Sequence, residues 1–411
     1  MADIFQTISF CRICKSNEIT EVMNLGFQPP ANSLYETVKP QSVPLRLLFC
    51  ESCSTVQLGE DVDPEYLFSK YLWITGTSET ALSYSKDFSE RALSLFKSNY
   101  EALFVVEIAS NDGTFLKEFQ KRGCKVLGVD PAANIAEIAS KQGVPTIADF
   151  FSRELAHKVL TETSSASLIY ARNVIPHVKE IHSVISGIEI LLSDDGIGVI
   201  EFHDAGLLLK EMHYDYIYHE HLFYYTLTSM DKLLKKYGLY VFDISSSPIS
   251  GGSWVVYFSK KIREKTSSFT SALKSNAEIE YNKKKYWLNF SKNARKHSEE
   301  LKKTVLDHFQ AHGKIVAYGA SARSSTLLNY CGISSEHISV VIDKNPLKHG
   351  LITAGSDIPI VSYADGLVYV KDSTIILLLA WNFKEEIIQE LRQSGYKGKF
   401  IIPLPGQPHI V

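Results

Sequence analysis

The sequence has no long hydrophobic run and little net charge. The longest apolar run near the C-terminus covers residues 375–381, far short of the roughly 20 residues that span a bilayer. The formal net charge of -3 gives no global field that would attract phosphate backbones. The opening Met-Ala-Asp-Ile-Phe-Gln-Thr lacks the basic region and long apolar stretch of a secretory signal. We therefore expect a cytoplasmic protein without a membrane-spanning segment.

What the chain does contain is typical of a globular protein of two or three domains, with 411 residues, 45% of them hydrophobic and 22% charged. One segment departs from the balanced charge, because residues 260–303 carry 13 Lys or Arg against 5 Asp or Glu. The sequence of this segment predicts a helix. We interpret it as a solvated helical connector, with a nucleic-acid-binding surface as the alternative.

Cysteine is scarce, and four of the six cysteines form two Cys-x-x-Cys pairs. Two such pairs can direct four thiolates at one centre, the tetrahedral shell that zinc favours. Because four ligands leave no position for water, a structural zinc is expected, with a redox-active or unmetallated pair as the alternative. Cys124 and Cys331 lie alone in apolar surroundings and are expected in the core. The predicted zinc ligands are Cys11, Cys14, Cys50 and Cys53.

The pattern of strands and helices predicts an α/β protein of several units. Residues 1–70 hold both cysteine pairs and are expected to form a small zinc domain. Residues 71–262 alternate apolar strands with helices, which indicates a doubly wound parallel sheet, and end in two closely spaced strands that would form an antiparallel edge. The helical connector is assigned to 263–305. Residues 306–411 repeat the strand and helix alternation as a Rossmann-like α/β unit.

A small-residue loop follows the first strand of the central unit and leads into a helix. Such loops let a ligand approach the backbone near a helix N-terminus. The loop has a single glycine, so it is not the G-x-G-x-x-G of dinucleotide sites. At the end of the next strand, Asp130 can accept hydrogen bonds from a ribose. The candidate cofactor-binding residues of this region are Glu107, Ala109, Asn111, Asp112, Gly113 and Asp130.

Residues 214–225 are dense in tyrosine, histidine and carboxylate side chains, which rarely build a core together. Tyr218, Glu220 and His221 can serve acid and base chemistry, whereas hydrogen-bonded structure and a metal site at His219 and His221 are the alternatives. A second candidate, His177, follows another strand, at the edge where doubly wound folds assemble active sites. A single loop histidine can equally be structural.

The C-terminal unit opens with the same strand, small-residue loop and helix. Backbone N–H groups and Arg323 suit a diphosphate, and Asp343 with Lys344 follows the next strand, where it can contact a ribose or base. A loop that merely packs is the alternative. The candidate substrate-binding residues are Gly319, Ser321, Arg323, Ser324, Asp343 and Lys344.

The segments Glu-Ile-Ala-Ser-Asn-Asp-Gly and Gly-Val-Asp-Pro resemble the cofactor-binding segments of class I S-adenosylmethionine (SAM) methyltransferases. Together with the cysteine pairs, Pro-Pro-Ala-Asn, Thr-Gly-Thr-Ser, Tyr-His-Glu-His and Tyr-Gly-Ala-Ser-Ala-Arg, they are similar, in order and over nearly the whole chain, to one family. This is the family of sugar C-methyltransferases that add a branch methyl to nucleotide-activated ketodeoxysugars. The chain departs from the family pattern at Trp73 and Ser250.

The resemblance implies a class I methyltransferase sheet with SAM bound near Asp149, Phe150 and Asn173 as well as at the first loop. It implies methylation at C3 beside a C4 ketone, through proton abstraction and an enolate. We expect His221 to be the base, Glu220 to orient it, and Tyr218 or His177 to donate to the enolate oxygen.

The sequence leaves open whether His221 or Tyr218 is the base. A zinc-ribbon methyltransferase that modifies nucleic acid and a nicotinamide-dependent oxidoreductase are the competing functions. The nucleotide, the sugar and the oligomeric state also stay open.

Overall fold

The structure is a computed structural model that describes residues 4–68, 75–97, 99–247, 252–279 and 281–411. Trp73 and Ser250, where the chain departs from the family pattern, lie outside the described residues. Among the residues described, no helix is both long and apolar enough to cross a membrane.

The N-terminal unit is built mainly of antiparallel strands. Its elements are β1 (Phe5–Thr7), β2 (Ile19–Gln28), β3 (Val43–Cys50), β4 (Val56–Leu58), β5 (Glu60–Val62) and α1 (Pro64–Phe68). Strands β2, β3 and β4 form a meander, and β1 pairs with β5 in a separate two-stranded sheet. The first cysteine pair precedes β2, and the second begins at the last residue of β3, so the meander sets the distance between the pairs.

The central unit contains a seven-stranded sheet with helices on its faces. Its elements are α2 (Glu79–Ser94), β6 (Phe104–Ile108), α3 (Thr114–Gln120), β7 (Lys125–Val129), α4 (Ala133–Lys141), β8 (Thr146–Ile147), α5 (Arg153–Glu162), β9 (Ala166–Arg172), α6 (Ile181–Leu191), β10 (Leu192–His203), α7 (Ala205–Glu211), β11 (Phe223–Tyr224), α8 (Leu227–Lys235), β12 (Tyr240–Ser247) and β13 (Ser253–Ser259).

The strand order is β12-β13-β10-β9-β6-β7-β8. Strands β10, β9, β6, β7 and β8 are parallel, whereas β12 and β13 form the expected antiparallel edge. The central strand β6 is buried at every position, as expected for a parallel strand covered on both faces. This confirms the predicted doubly wound sheet. The short strand β11 leaves this sheet and pairs with β4 of the N-terminal unit.

The basic segment forms two helices, α9 (Ser267–Glu278) and α10 (Lys284–His312). Along α10 the buried Trp287, Phe290, Ala294 and Leu301 recur at helical spacing, so one face packs inward. Lysines on the helix surface pair with acidic residues four positions later, as at Lys303 and Asp307. The two helices thus have a packed face as well as a solvated one.

The C-terminal unit is a second, mostly parallel sheet in the order β16-β15-β14-β17-β18-β19. Its elements are β14 (Ile315–Tyr318), α11 (Ala322–Cys331), β15 (Ile338–Ile342), β16 (Ile360–Val361), α12 (Tyr363–Asp372), β17 (Ile375–Leu378), α13 (Lys384–Gln393), β18 (Lys399–Ile402) and β19 (His409–Ile410). Only β18 and β19 pair antiparallel. The predicted Rossmann-like unit is therefore present, and a hydrophobic cluster containing Leu47, Ile169 and Leu327 continues through all three units.

Candidate active site and metal centre

The four paired cysteines converge on one point. Their Sγ atoms all lie within 4.8 Å of one another, with 3.6 Å between Cys11 and Cys53 and 3.5 Å between Cys14 and Cys50. Each pair is closed by the same turn, in which the first cysteine's carbonyl accepts a hydrogen bond from the backbone N–H four residues later. Zn–S bonds of about 2.3 Å in a tetrahedron place sulfurs a little under 4 Å apart. The cluster therefore fits a closed, structural zinc site.

The loop after β6 is shaped by backbone conformations that most residues avoid. Ala109, Asn111 and Gly113 have φ values of 55°, 50° and 76°. A Cβ on Gly113 would meet Val144 at 2.9 Å, so this position requires glycine. Such a cluster of left-handed residues is typical of a loop that serves a ligand.

Asp130 is fixed against this loop. Its Oδ2 accepts the backbone N–H of Asn111 at 2.8 Å, and its Oδ1 accepts that of Ala132 at 2.9 Å. Burial raises the pKa of Asp130 from its ordinary value. Each carboxylate oxygen keeps a second lone pair. The Asp130 carboxylate, which is expected to bind a ribose, is therefore oriented and can still accept hydrogen bonds.

Asp112 and Asn111 hold the turn that precedes α2. Asn111 Oδ1 accepts the backbone N–H of Thr75 at 2.8 Å, and Asp112 Oδ2 accepts that of Gly76 at 3.1 Å. Asp112 also accepts from the Thr114 hydroxyl at 2.7 Å. These two predicted cofactor residues therefore organise the surroundings of the loop.

Glu107 lies behind the loop and is 1% exposed. Its carboxylate accepts from the Tyr170 hydroxyl at 3.0 Å and from Arg172 Nε at 3.4 Å. Burial raises the pKa of Glu107 to about 8, although Arg172 opposes the shift. The structure places this carboxylate within the core beside the site.

The remaining predicted cofactor residues lie on neighbouring loops. Phe150 is 55% exposed, so it is not a core residue, and its backbone N–H donates to Asp149 Oδ1 at 2.7 Å. Asn173 has a φ of 51° and donates through Nδ2 to Glu201 at 2.9 Å. Its Oδ1 is buried, with no partner among the described residues. Phe150 and Asn173 follow β8 and β9, so they lie at the same carboxyl edge of the parallel sheet as Asp130, which follows β7.

A cleft of about 940 Å³ lies between the three units. His177, Tyr218 and Glu220 line it from the central unit, together with Gly319, Ser321, Asp343 and Lys344 from the C-terminal unit. Residues between Asn32 and Gln41 of the zinc-binding unit also line it. The cleft thus brings together most of the predicted catalytic and substrate-binding residues.

His221 is buried behind the cleft, where its ring contacts those of Tyr218 and His177, with centroids 4.0 and 4.7 Å away. Its Nδ1 lies 2.8 Å from the Tyr216 carbonyl oxygen. Because a carbonyl only accepts, Nδ1 carries the proton and Nε2 is the basic nitrogen. Burial lowers the pKa of His221 well below its usual value and that of His177 to about 4. Both imidazoles are therefore neutral at neutral pH.

Glu220 does not hydrogen-bond His221. Its Oε1 accepts from Asn32 Nδ2 of the zinc-binding unit at 3.0 Å. The Tyr216 carbonyl occupies the orienting position that we expected for Glu220. Asn32 belongs to the Pro-Pro-Ala-Asn motif, but the sequence predicts no role for it. Its contact with Glu220 joins residues 188 positions apart, and such a contact leaves no local pattern in the sequence. The neighbouring His219 contacts the Pro44 carbonyl at 3.1 Å.

The loop after β14 has the form expected of a phosphate site. Gly319 has a φ of 101°, and a Cβ there would meet Ala380 at 2.5 Å. Ser321 and Ser324 form a reciprocal capping box at the start of α11. Asp343 accepts the backbone N–H groups of Ala320 and Asn345, both at 2.8 Å. Ser324 is thus occupied in the cap, whereas Gly319, Ser321 and Asp343 line the cleft.

The cations near this loop differ from the expected set. Arg323 donates through Nε and Nη2 to Asp215 at 3.0 and 3.1 Å, and its guanidinium stacks on Trp381 at 4.5 Å. It is absent from the lining of the cleft. Lys344 and Lys348 do line the cleft, and Lys348 was not among the predicted residues. Lysines after a strand are too common in sequence for a pattern to select one.

Comparison with known proteins identifies the family. A model of a C-methyltransferase C-terminal domain matches residues 248–405, a methyltransferase domain model matches 84–244, and a zinc binding domain model matches 11–68. The C-methyltransferase NovU of Streptomyces niveus is 31% identical over 424 residues, which cover 100% of this chain and 99% of NovU. The chain belongs to this C-methyltransferase family. The enzyme is a SAM-dependent C-methyltransferase with a zinc-binding domain.

Solved structures resemble the methyltransferase only distantly. The magnesium protoporphyrin IX methyltransferase of Synechocystis PCC 6803 with bound SAM is 11% identical and covers 44% of this chain and 79% of its own, with a TM-score of 0.34. The PH0226 protein of Pyrococcus horikoshii OT3 is 15% identical and covers 48% and 99%, with a TM-score of 0.35. Scores this low carry no argument about the site.

Proposed function

We propose that the enzyme methylates C3 of a nucleotide-linked 4-keto-deoxysugar bound in the cleft between the three units. The observation that carries this proposal is the convergence of two independently predicted groups of residues. Tyr218 and His177, selected for proton transfer, line the same cleft as Gly319 and Ser321, selected for phosphate binding. A substrate that needs both groups has a phosphate portion and a carbon that must lose a proton, as a nucleotide-linked ketosugar does.

The reaction requires a nucleophilic carbon. When bound, SAM supplies an electrophilic methyl group, and the loop at residues 109–113 with Asp130 would hold it. A C–H beside a ketone becomes nucleophilic by losing its proton to form an enolate. The residues around the sugar must therefore accept a proton from C3 and stabilise the negative charge that develops on the ketone oxygen.

His221 is the proposed base because its ring is neutral and its Nδ1 is already engaged, although the burial that lowers its pKa also makes it a weaker proton acceptor. The hydrogen bond from Nδ1–H to the Tyr216 carbonyl leaves the Nε2 lone pair available, and burial keeps the ring neutral. The ring contacts those of Tyr218 and His177, which line the cleft, whereas His221 itself is not in the lining. In the proposed mechanism the C3 proton passes to His221, and a hydrogen bond from Tyr218 or His177 stabilises the enolate oxygen.

The nucleotide is proposed to lie along the C-terminal side of the cleft. The backbone at the start of α11 offers N–H groups to a diphosphate. Arg323 is held by Asp215 and does not line the cleft, whereas Lys344 and Lys348 do. Lys344 pairs with Glu390 at 2.9 Å and Lys348 with Asp343 at 3.5 Å, so in the proposed complex these two lysines exchange those partners for the diphosphate. In this arrangement Asp343, which is fixed by two backbone N–H groups and pairs with Lys348, would accept from a ribose or base.

Exchange of the C3 proton tests this proposal. With a panel of nucleotide-linked 4-ketosugars in deuterated water and no SAM, the wild type should exchange C3–H for deuterium. His221→Ala or Tyr218→Phe should slow exchange and methylation by about 10²–10⁴-fold if the residue is the base. Tyr369→Phe, at an exposed tyrosine outside the cleft lining, is the control. Full exchange and full methylation in both active-site variants would refute the assignment, and His177 would be tested next.

A further inference from the structure

Glu220 receives a hydrogen bond from a different domain. Its side chain is 4% exposed, and Asn32 Nδ2 donates to Oε1 at 3.0 Å. Oε2 is buried, with no hydrogen-bond partner among the described residues. Among the described side chains, Asn32 is thus the one that donates a hydrogen bond to this buried carboxylate.

Asn32 is held in place by its own segment, residues 29–41, which we call the strap. The strap crosses the cleft from the zinc-binding unit to the C-terminal unit. Tyr35 exchanges backbone hydrogen bonds with Ile352 at 3.2 and 2.8 Å, and its hydroxyl donates to Asp357 at 2.6 Å. Lys39 also forms an ion pair with Asp357. The Asn32 amide is therefore presented to Glu220 by a segment anchored on the C-terminal unit.

We propose that Asn32 is a positioning residue of the methyl-transfer site, which holds the Glu220 carboxylate in the cleft and makes the zinc-binding domain part of the active site. The inference rests on the proposed function in one respect, because it takes Glu220 to belong to the site where the sugar reacts. In this proposal the zinc contributes to catalysis indirectly, because the metal orders the domain from which the strap extends.

The electrostatic surroundings make this one contact important. Burial raises the pKa of Glu220. Its own backbone N–H, the Asn32 side-chain amide and the Asn32 backbone N–H oppose that rise because they donate to the charged form, and the Asn32 amide is the side chain among them. The other polar groups around Glu220 are His177 of the turn Ile175–His177, Tyr218 and His221 of its own segment, and Tyr224 of β11. No lysine or arginine pairs with Glu220 in the described part of the chain. The loss of Asn32 should therefore favour the protonated carboxyl.

Replacing Asn32 should move the pH at which Glu220 ionises. We expect Asn32→Ala to shift the acid limb of the pH profile of kcat upward by about one pH unit, with KM changed less than kcat. Asn32→Asp should shift it further, because a second carboxylate disfavours ionisation of the first. Glu36→Gln is the matched control, since it exchanges a carboxylate and an amide on the same strap at an exposed position outside the cleft lining.

Infrared spectroscopy follows the same ionisation without substrate. The carboxyl band of protonated Glu220 is identified by its loss in Glu220→Gln, and its midpoint should rise in Asn32→Ala and Asn32→Asp. Zinc content and thermal midpoint equal to those of the wild type verify folding. An unchanged infrared midpoint in both Asn32 variants would refute the inference. If the wild type exchanges no C3 proton, the proposed function fails, and the infrared midpoint still decides whether Asn32 stabilises the Glu220 carboxylate.

Discussion

A buried ion pair joins the C-terminal unit to the turn that precedes the proposed catalytic residues. Asp215, in the turn Tyr214–Tyr216, is 1% exposed. It accepts two hydrogen bonds from Arg323 at 3.0 and 3.1 Å and one from Trp381 Nε1 at 2.9 Å. The next residue in the turn is Tyr216, whose carbonyl accepts from His221. The pair therefore affects the stability of the protein and the orientation of the His221 imidazole.

Asp215→Ala removes one partner and leaves a guanidinium whose side chain is 14% exposed without its counterion. Breaking a buried pair in this way costs about 3–5 kcal/mol of the free energy of unfolding. The matched control is Asp307→Ala, which breaks the exposed pair with Lys303 on α10. Exposed pairs contribute roughly 0–1 kcal/mol, so the two substitutions should differ several-fold.

Urea unfolding followed by circular dichroism measures both variants against the wild type. The double variant Asp215→Leu with Arg323→Met should recover much of the loss, because no buried charge then lacks a partner. If Asp215→Ala costs less than about 1 kcal/mol, the pair behaves as an exposed one and the reasoning from burial is refuted. Turnover should also fall in Asp215→Ala, because the turn Tyr214–Tyr216 loses its ion pair and no longer fixes the Tyr216 carbonyl that orients His221.

Three further predictions concern the metal, the cofactor and pH. Elemental analysis should find one zinc per chain, and Cys50→Ser should reduce metal content and stability together; protein purified without chelator that contains no zinc would contradict the site. Asp130→Ala should weaken S-adenosylhomocysteine binding in calorimetry by about 1.5–3 kcal/mol for each charge-assisted hydrogen bond lost, whereas unchanged affinity would place the cofactor elsewhere. Burial lowers the pKa of His213 to about 4, so below pH ~6.5 the unfolded chain binds the proton first and stability falls towards pH 4. Burial lowers the pKa of His177 and His221 as well, so these residues contribute to the same fall. His213→Phe should therefore reduce the slope of stability against pH, measured by urea unfolding at each pH, without abolishing it, and an unchanged slope would contradict the prediction.

The parallel strands were the most predictable part of the fold. Strands β7, β15 and β18 are each a short apolar run between a turn and a loop, which is the pattern that indicated the two parallel sheets. The antiparallel edge of β12 and β13 was equally visible. What the sequence did not indicate was pairing across units, such as that of β11 with β4. A two-residue strand has too little periodicity to be recognised, and its partner lies far away in the chain.

The candidate site divides in the same way. The cysteine cluster could be predicted because Cys-x-x-Cys is a local pattern that leaves the metal few alternatives. The role of a charged side chain could not be predicted where it depends on which opposite charge the fold brings next to it. Arg323 occupies a phosphate-like loop, yet Asp215 takes its guanidinium. Glu107 follows the expected pattern, yet Arg172 and Tyr170 take its carboxylate.

The packing of the units explains why the segment that holds the proposed catalytic residues was conspicuous in sequence. Residues 214–225 lie where the three units meet: Asp215 binds the C-terminal unit, and His219 and Glu220 contact the zinc-binding unit. Each buried polar group there needs a partner, because an unpaired one would cost stability. Side chains that join the units and side chains available for proton transfer therefore alternate along one short segment. On the proposed function, such a segment is dense in tyrosine, histidine and acidic residues because it serves both the assembly of the units and the chemistry. The contacts identify the residues that join the units, and the proton-exchange experiment tests the others.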